Sequence, residues 1–192
     1  MTKKLLNIGL VGCLAIIFLQ IFAGFYELMQ LKVLYMLCFV NGINSLFNIL
    51  ILIILWKVLV KFYKQSQIDH VLKVMIGISI ATTFLLIFLR YLHLGRFVAI
   101  IMIILLIINL IFYFIFIYRL MDIDKSEIHQ IEQLKNYSVA FAICLFGNLV
   151  LGIIIDFNRI KGLDYISHLL ILIPIIFIGL FFLKTKYEII QK

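Results

Sequence analysis

Residues 97–118, FVAIIMIILLIINLIFYFIFIY, contain no charged side chain and a single amide, Asn109. Wound as a helix, the stretch is about 33 Å long, enough to cross the hydrocarbon core of a bilayer. Its apolar residues are continuous. The strands of a membrane β-barrel need alternation at every second residue, so this pattern predicts a spanning helix.

The rest of the chain repeats the theme. Of its 192 residues 66% are hydrophobic and 14% charged, with a mean hydropathy of +1.23. A soluble domain of this size needs roughly 25% charged residues to cover its surface, so soluble and disordered classes are excluded. Working outward from 97–118, further apolar runs lie at 5–25, 33–59, 71–89, 137–155 and 166–183. The predicted architecture is all-α: one transmembrane domain, residues 1–192, built as a six-helix bundle in the cell membrane.

Charge placement predicts the orientation. Lys3, Lys4, Lys57, Lys61, Lys64, Lys73, Arg119, Lys125, Lys135, Lys184, Lys186 and Lys192 fall on one side of the bundle, against Lys32, Arg90, Arg96, Arg159 and Lys161 on the other. The positive-inside rule then puts both termini in the cytoplasm. The formal charge of +8 sits at run ends beside lipid headgroups, so the bilayer is the expected partner and nucleic acid is not. Trp56 and all tyrosines but Tyr113 lie near run ends, as interfacial anchors do. Leu10-Val11-Gly12-Cys13 has the look of a lipidation site, but the chain stays apolar through Phe25, which predicts an uncleaved helix. Cys13, Cys38 and Cys144 are isolated in apolar runs and read as small buried hydrophobes.

Both internal connections on the basic side carry helix-start patterns, Ser66-Gln67-Ile68-Asp69 and Asp124-Lys125-Ser126-Glu127. Each offers a capping residue answered by an acid three positions on. The third and fifth helices are therefore expected to start below the membrane, the fifth running unbroken from Lys125 to Ile155. Residues 67–73 and 130–135 are weakly alike, as three repeated hairpins would make them. Pro174, the chain's one proline, predicts a kink in the sixth helix.

Polarity inside the runs marks where function can sit. Asn41, Asn44, Ser45 and Asn48 are spaced i, i+3, i+4 and i+7, one face of the second helix. Thr82 and Thr83, Asn109, and Asn148 add hydroxyls and amides near the middle of the third, fourth and fifth runs. Such groups either hydrogen-bond across helices as packing glue or line a substrate site for an uncharged or zwitterionic solute. No Asp, Glu, Lys or Arg occupies the middle third of any run, which disfavours a proton relay or voltage sensor.

A second constellation gathers at the outer boundary: Glu27, Arg90, His93, Arg96, Asp156, Asn158, Arg159, Lys161, Asp164 and His168. His93 or His168 with Asp156 has the chemistry for acid–base work, and the arginines for holding a phosphate or carboxylate. Snorkelling interfacial charges account for the same set. Asp122, His129 and Glu132 share a helix face only if the helix is unbroken at Asp124, which the capping pattern opposes, so no metal is expected. No cofactor is implied, because the chain has no glycine-rich phosphate loop, serine elbow or paired-histidine motif.

Three functions fit. A transport or permease-type subunit would use the mid-membrane polar face. A non-enzymatic immunity, sensory or assembly factor would dock a protein partner, or a second copy of the chain, through the basic-side connections. An interfacial enzyme would act on lipid or peptide at the outer cluster, without a recognisable catalytic motif. The polar face weighs toward transport, since it destabilises the bundle unless something pairs with it.

Overall fold

The computed structural model describes residues 2–28, 34–88, 95–124, 128, 130–158 and 164–191. The chain is all-helical, with no strand among the described residues. Six long helices follow one another: α1 (Thr2–Leu28), α2 (Leu34–Trp56), α3 (Ser66–Phe88), α4 (Gly95–Met121), α5 (Ile131–Asn158) and α6 (Asp164–Gln191). Among the described residues four stretches are long and apolar enough to cross a membrane: Lys3–Phe25, Gly42–Phe62, Ser66–Leu85 and His168–Ile190. A shorter apolar stretch, Ile107–Met121, lies in α4.

Each helix packs on the next in chain order, and α6 returns against α1, so the six form a closed ring. Side-chain size sets the approach of α1. Gly9 and Gly12 clear room on one face: a Cβ at Gly9 would lie 2.9 Å from the ring of Phe182, and one at Gly12 would lie 3.7 Å from Ile51. Across from Cys13 it is Gly179 that makes the space. Small residues at such seams let apolar helices gain dispersion contacts that lipid would otherwise supply.

Most of the described buried hydrophobic residues form one cluster. Leu6, Cys13 and Ile16 of α1, Ile54, Leu55 and Leu59, Leu72 of α3, Phe116 and Leu120 of α4, Leu134 of α5, and Ile178, Phe181 and Phe182 of α6 all contribute. The cluster fills the bundle toward the α2–α3 and α4–α5 connections. The perimeter is also apolar. Val11, Leu14, Phe18 and Phe25 on α1, Ile104, Ile107, Ile111 and Phe114 on α4, Ile143 and Phe146 on α5, and Ile173 and Ile176 on α6 are all exposed. Water would not tolerate such a surface, whereas lipid matches it.

Helix ends depart from the apolar runs for local reasons. α2 does not stop at Leu59; it continues as a π-helical turn, Lys57–Phe62, closed by Tyr63 N donating to Val58 O and Gln65 N to Leu59 O. Lys64 then takes φ 59°, a left-handed conformation that reverses the chain for α3 to begin at Ser66. The predicted start of the fifth helix needs correction. Asp124 and Ile128 are not helical, and α5 begins at Ile131 rather than at Lys125. Two buried isoleucines, Ile123 and Ile128, draw the connection back into the core, and a turn with Ile128 N donating to Asp124 O redirects it. Lys125, Ser126, Glu127 and His129 lie outside the described residues. α6 runs through Pro174 as one helix.

Candidate functional site

Three clasps fix the basic end of the ring. At the α2–α3 hairpin the Trp56 indole N–H donates to Asp69 Oδ1 at 2.6 Å while Lys73 Nζ donates to Oδ2 at 2.7 Å. At the α4–α5 connection Lys135 Nζ donates to the carbonyls of Met121 and Ile123, at 3.0 and 2.9 Å, serving acceptors that the end of α4 leaves open. Tyr63 reaches α6, its hydroxyl donating to Glu188 Oε2 at 3.2 Å. Burial, with the Glu188 charge beside it, pushes the Tyr63 phenol up to about 12 although Thr185 pulls the other way. Tyr63 therefore stays a neutral donor throughout the physiological range.

Deeper in, the contacts between neighbours set a common level. Trp56 faces Asp69, Tyr113 faces Ser138, Cys144 faces Leu170 and Gln20 faces His168. In antiparallel helices a step along one is matched by a step back along its partner. Counted this way, Asn44, Thr82 and Thr83, Asn109, Gly147 with position 148, and the Gln20–His168 pair lie within about one to two helical turns of one level. That level sits beyond the apolar core, on the side away from the basic connections, so the core forms a floor beneath it.

The polar side chains at this level behave differently from one another. Thr82 Oγ1 donates to the carbonyls of Ile78 and Ser79, both at 3.0 Å, and Thr83 Oγ1 to Ser79 at 2.7 Å. Both hydroxyl protons are thus spent on their own helix. Asn44 and Asn109 are the opposite case: the Oδ1 of each is buried and accepts no hydrogen bond among the described residues. Without a donor from water or a ligand, a buried amide oxygen costs about 1–3 kcal/mol. Ser45 and Asn48 are half-buried beside Asn44. Among the described residues none of these asparagine, serine and threonine side chains bonds another, so the structure brings them to one level without joining them.

Gln20 is the residue that the sequence reading passed over. It is buried, and its Oε1 lies 2.6 Å from His168 Nδ1. A carbonyl oxygen only accepts, so with the amide in this orientation Nδ1 carries the proton and donates. The signal was available, since Gln20 is an uncharged polar residue inside an apolar run, as the asparagines are.

The other predicted site residues are placed less fully. Positions 41 and 148 belong to α2 and α5, 96 to α4 and 156 to α5, but the side chains of Asn41, Asn148, Arg96 and Asp156 lie outside the described residues. So do Arg90, His93, Arg159 and Lys161 entirely, and the side chains of Glu27, Asn158 and Asp164. Of the outer cluster, His168 alone has a described side chain, and it bonds Gln20. Among the described residues no three His, Cys, Asp or Glu side chains come together as metal ligands.

Comparison with family models, with curated proteins and with solved structures found no match to this chain.

Proposed function

We propose that the chain is a six-span membrane protein with both termini cytoplasmic, and that it binds and passes an uncharged or zwitterionic solute at the polar level described above. The observation that carries this reading is the pair of buried, unpartnered amide oxygens of Asn44 and Asn109. Helix-packing glue works by pairing, and an acceptor without a donor from the protein contributes nothing to packing. Two such acceptors at one level are explained by a ligand that brings the donors, a hydroxyl or N–H group. The absence of acidic and basic residues from the middle of the runs matches a solute without net charge. The apolar floor of Phe116, Phe181 and Phe182 makes this a binding level closed on the basic side, so passage requires the floor to part. Energy for uptake would come from a gradient or a partner subunit.

The docking-protein reading has less behind it. Asp69, Lys73 and Lys135, three of the charged groups at the connections, turn onto their own chain. The enzyme reading rests on the outer cluster, of which only His168 has a described side chain, bonded to Gln20.

The test is a double variant, Asn44→Leu with Asn109→Leu. It removes two unsatisfied acceptors, so its thermal stability in detergent should equal or exceed that of the wild type. Mass spectrometry of the purified wild-type protein should find a bound small polar molecule that the variant lacks. A lowered melting temperature would mean that the amides are glue, and equal small-molecule content in both proteins would overturn the solute reading.

A further inference from the structure

We infer that the Trp56 end of the α2–α3 hairpin is a binding site for the phosphate headgroup of an anionic phospholipid. The inference rests on membrane embedding and is independent of the solute reading. Within residues 56–73 the chain places Lys57, Lys61, Lys64 and Lys73 against one acid, Asp69. That acid is fully used: Oδ1 accepts from the Trp56 indole and Oδ2 from Lys73. Lys61 has no carboxylate partner among the described residues, yet its Nζ lies 5.4 Å from the centre of the Trp56 ring, with Lys73 Nζ at 5.7 Å from the same ring. Two ammonium groups thus converge on one indole, whose N–H and one of the lysines share the Asp69 carboxylate.

The backbone contributes to this crowding. In a π-helical turn each N–H reaches back five residues, so Lys57 and Lys61 fall nearly above one another. Lys64 follows in its left-handed conformation at the tip. Excess positive charge held together at close range is unfavourable unless an anion shares it. The surroundings identify which anion. Trp56 and Tyr63 are the amphipathic rings that favour the headgroup level, and Phe62, exposed and packed edge-on against Tyr63 at 4.8 Å, offers an apolar surface for an acyl chain. A diacyl phospholipid carrying net negative charge has both parts, the phosphate for the lysines and the chains for the phenylalanine.

Trp56 is the only tryptophan in the chain, so its fluorescence reports on the site alone. The full-length protein is reconstituted into phosphatidylcholine vesicles, and brominated phosphatidylglycerol or brominated phosphatidylcholine is titrated in as quencher. Phosphatidylglycerol should be preferred by about fivefold for each lysine engaged. Lys61→Gln with Lys64→Gln, both exposed, should bring the preference close to one with helicity unchanged by circular dichroism. Arg119→Gln, at the basic end of α4, should leave it intact, as should millimolar inorganic phosphate at constant ionic strength. Equal quenching by the two lipids in the wild type would overturn the inference, as would an equal loss in Arg119→Gln, which would mean general surface charge. Displacement by inorganic phosphate would assign the site to a soluble ligand.

Discussion

Tyr113 shows how far a single residue can be read. It is the one tyrosine placed away from a run end by the sequence, and it sits buried in α4 with its hydroxyl donating to Ser138 O of α5 at 2.9 Å. Its ring packs at 4.9 Å from Phe141. Tyr113→Phe keeps the ring and removes the hydrogen bond, and should lower stability by about 1 kcal/mol in thermal unfolding in detergent. Tyr113→Ala removes the ring as well and should cost about 3–5 kcal/mol. The anomaly was visible in the sequence, but its partner was not. A backbone carbonyl on another helix leaves no mark in composition or spacing. The same limit applies to Gln20 and His168: the polar residues can be picked out by the rule that lipid does not hydrate them, whereas their pairing depends on how α1 and α6 are set against each other.

At the scale of elements, apolar runs predicted helices well because a bilayer demands that every backbone group be satisfied within its own segment. Their ends were less legible. α2 extends through a π-helical turn, and α5 begins at Ile131 because Ile123 and Ile128 are buried. A capping pattern registers local hydrogen bonding and is blind to two isoleucines being pulled inward. Glycine positions make the packing of α1 testable. Gly9→Ala would put a methyl group 2.9 Å from the ring of Phe182, which is fully buried and has nowhere to move. That substitution should destabilise the bundle by about 1–3 kcal/mol. Gly12→Ala meets its nearest neighbour at 3.7 Å, an ordinary contact, and should be neutral or slightly stabilising through helix propensity. Equal effects of the two in thermal unfolding would contradict the α1–α6 seam.

For the whole molecule, the polar level lying above the described apolar core of the basic end is the feature that gives the proposed function its form. The sequence supplied the polar residues and the closing ring supplied their common level. Contacts between α6 and α1 lie far apart along the chain and leave no periodic signal. The account predicts that water and solute reach the Asn44 level from the outer side while the core seals it from the cytoplasm. The most direct test uses whole cells, a background with Cys13, Cys38 and Cys144 changed to alanine, and a membrane-impermeant methanethiosulfonate reagent added outside. Asn44→Cys should be labelled, because only a hydrated thiol ionises and reacts, while Leu46→Cys, two positions away and 58% exposed toward lipid, should not. If Asn44→Cys proves as inert as Leu46→Cys, no aqueous route reaches the polar level and the account fails.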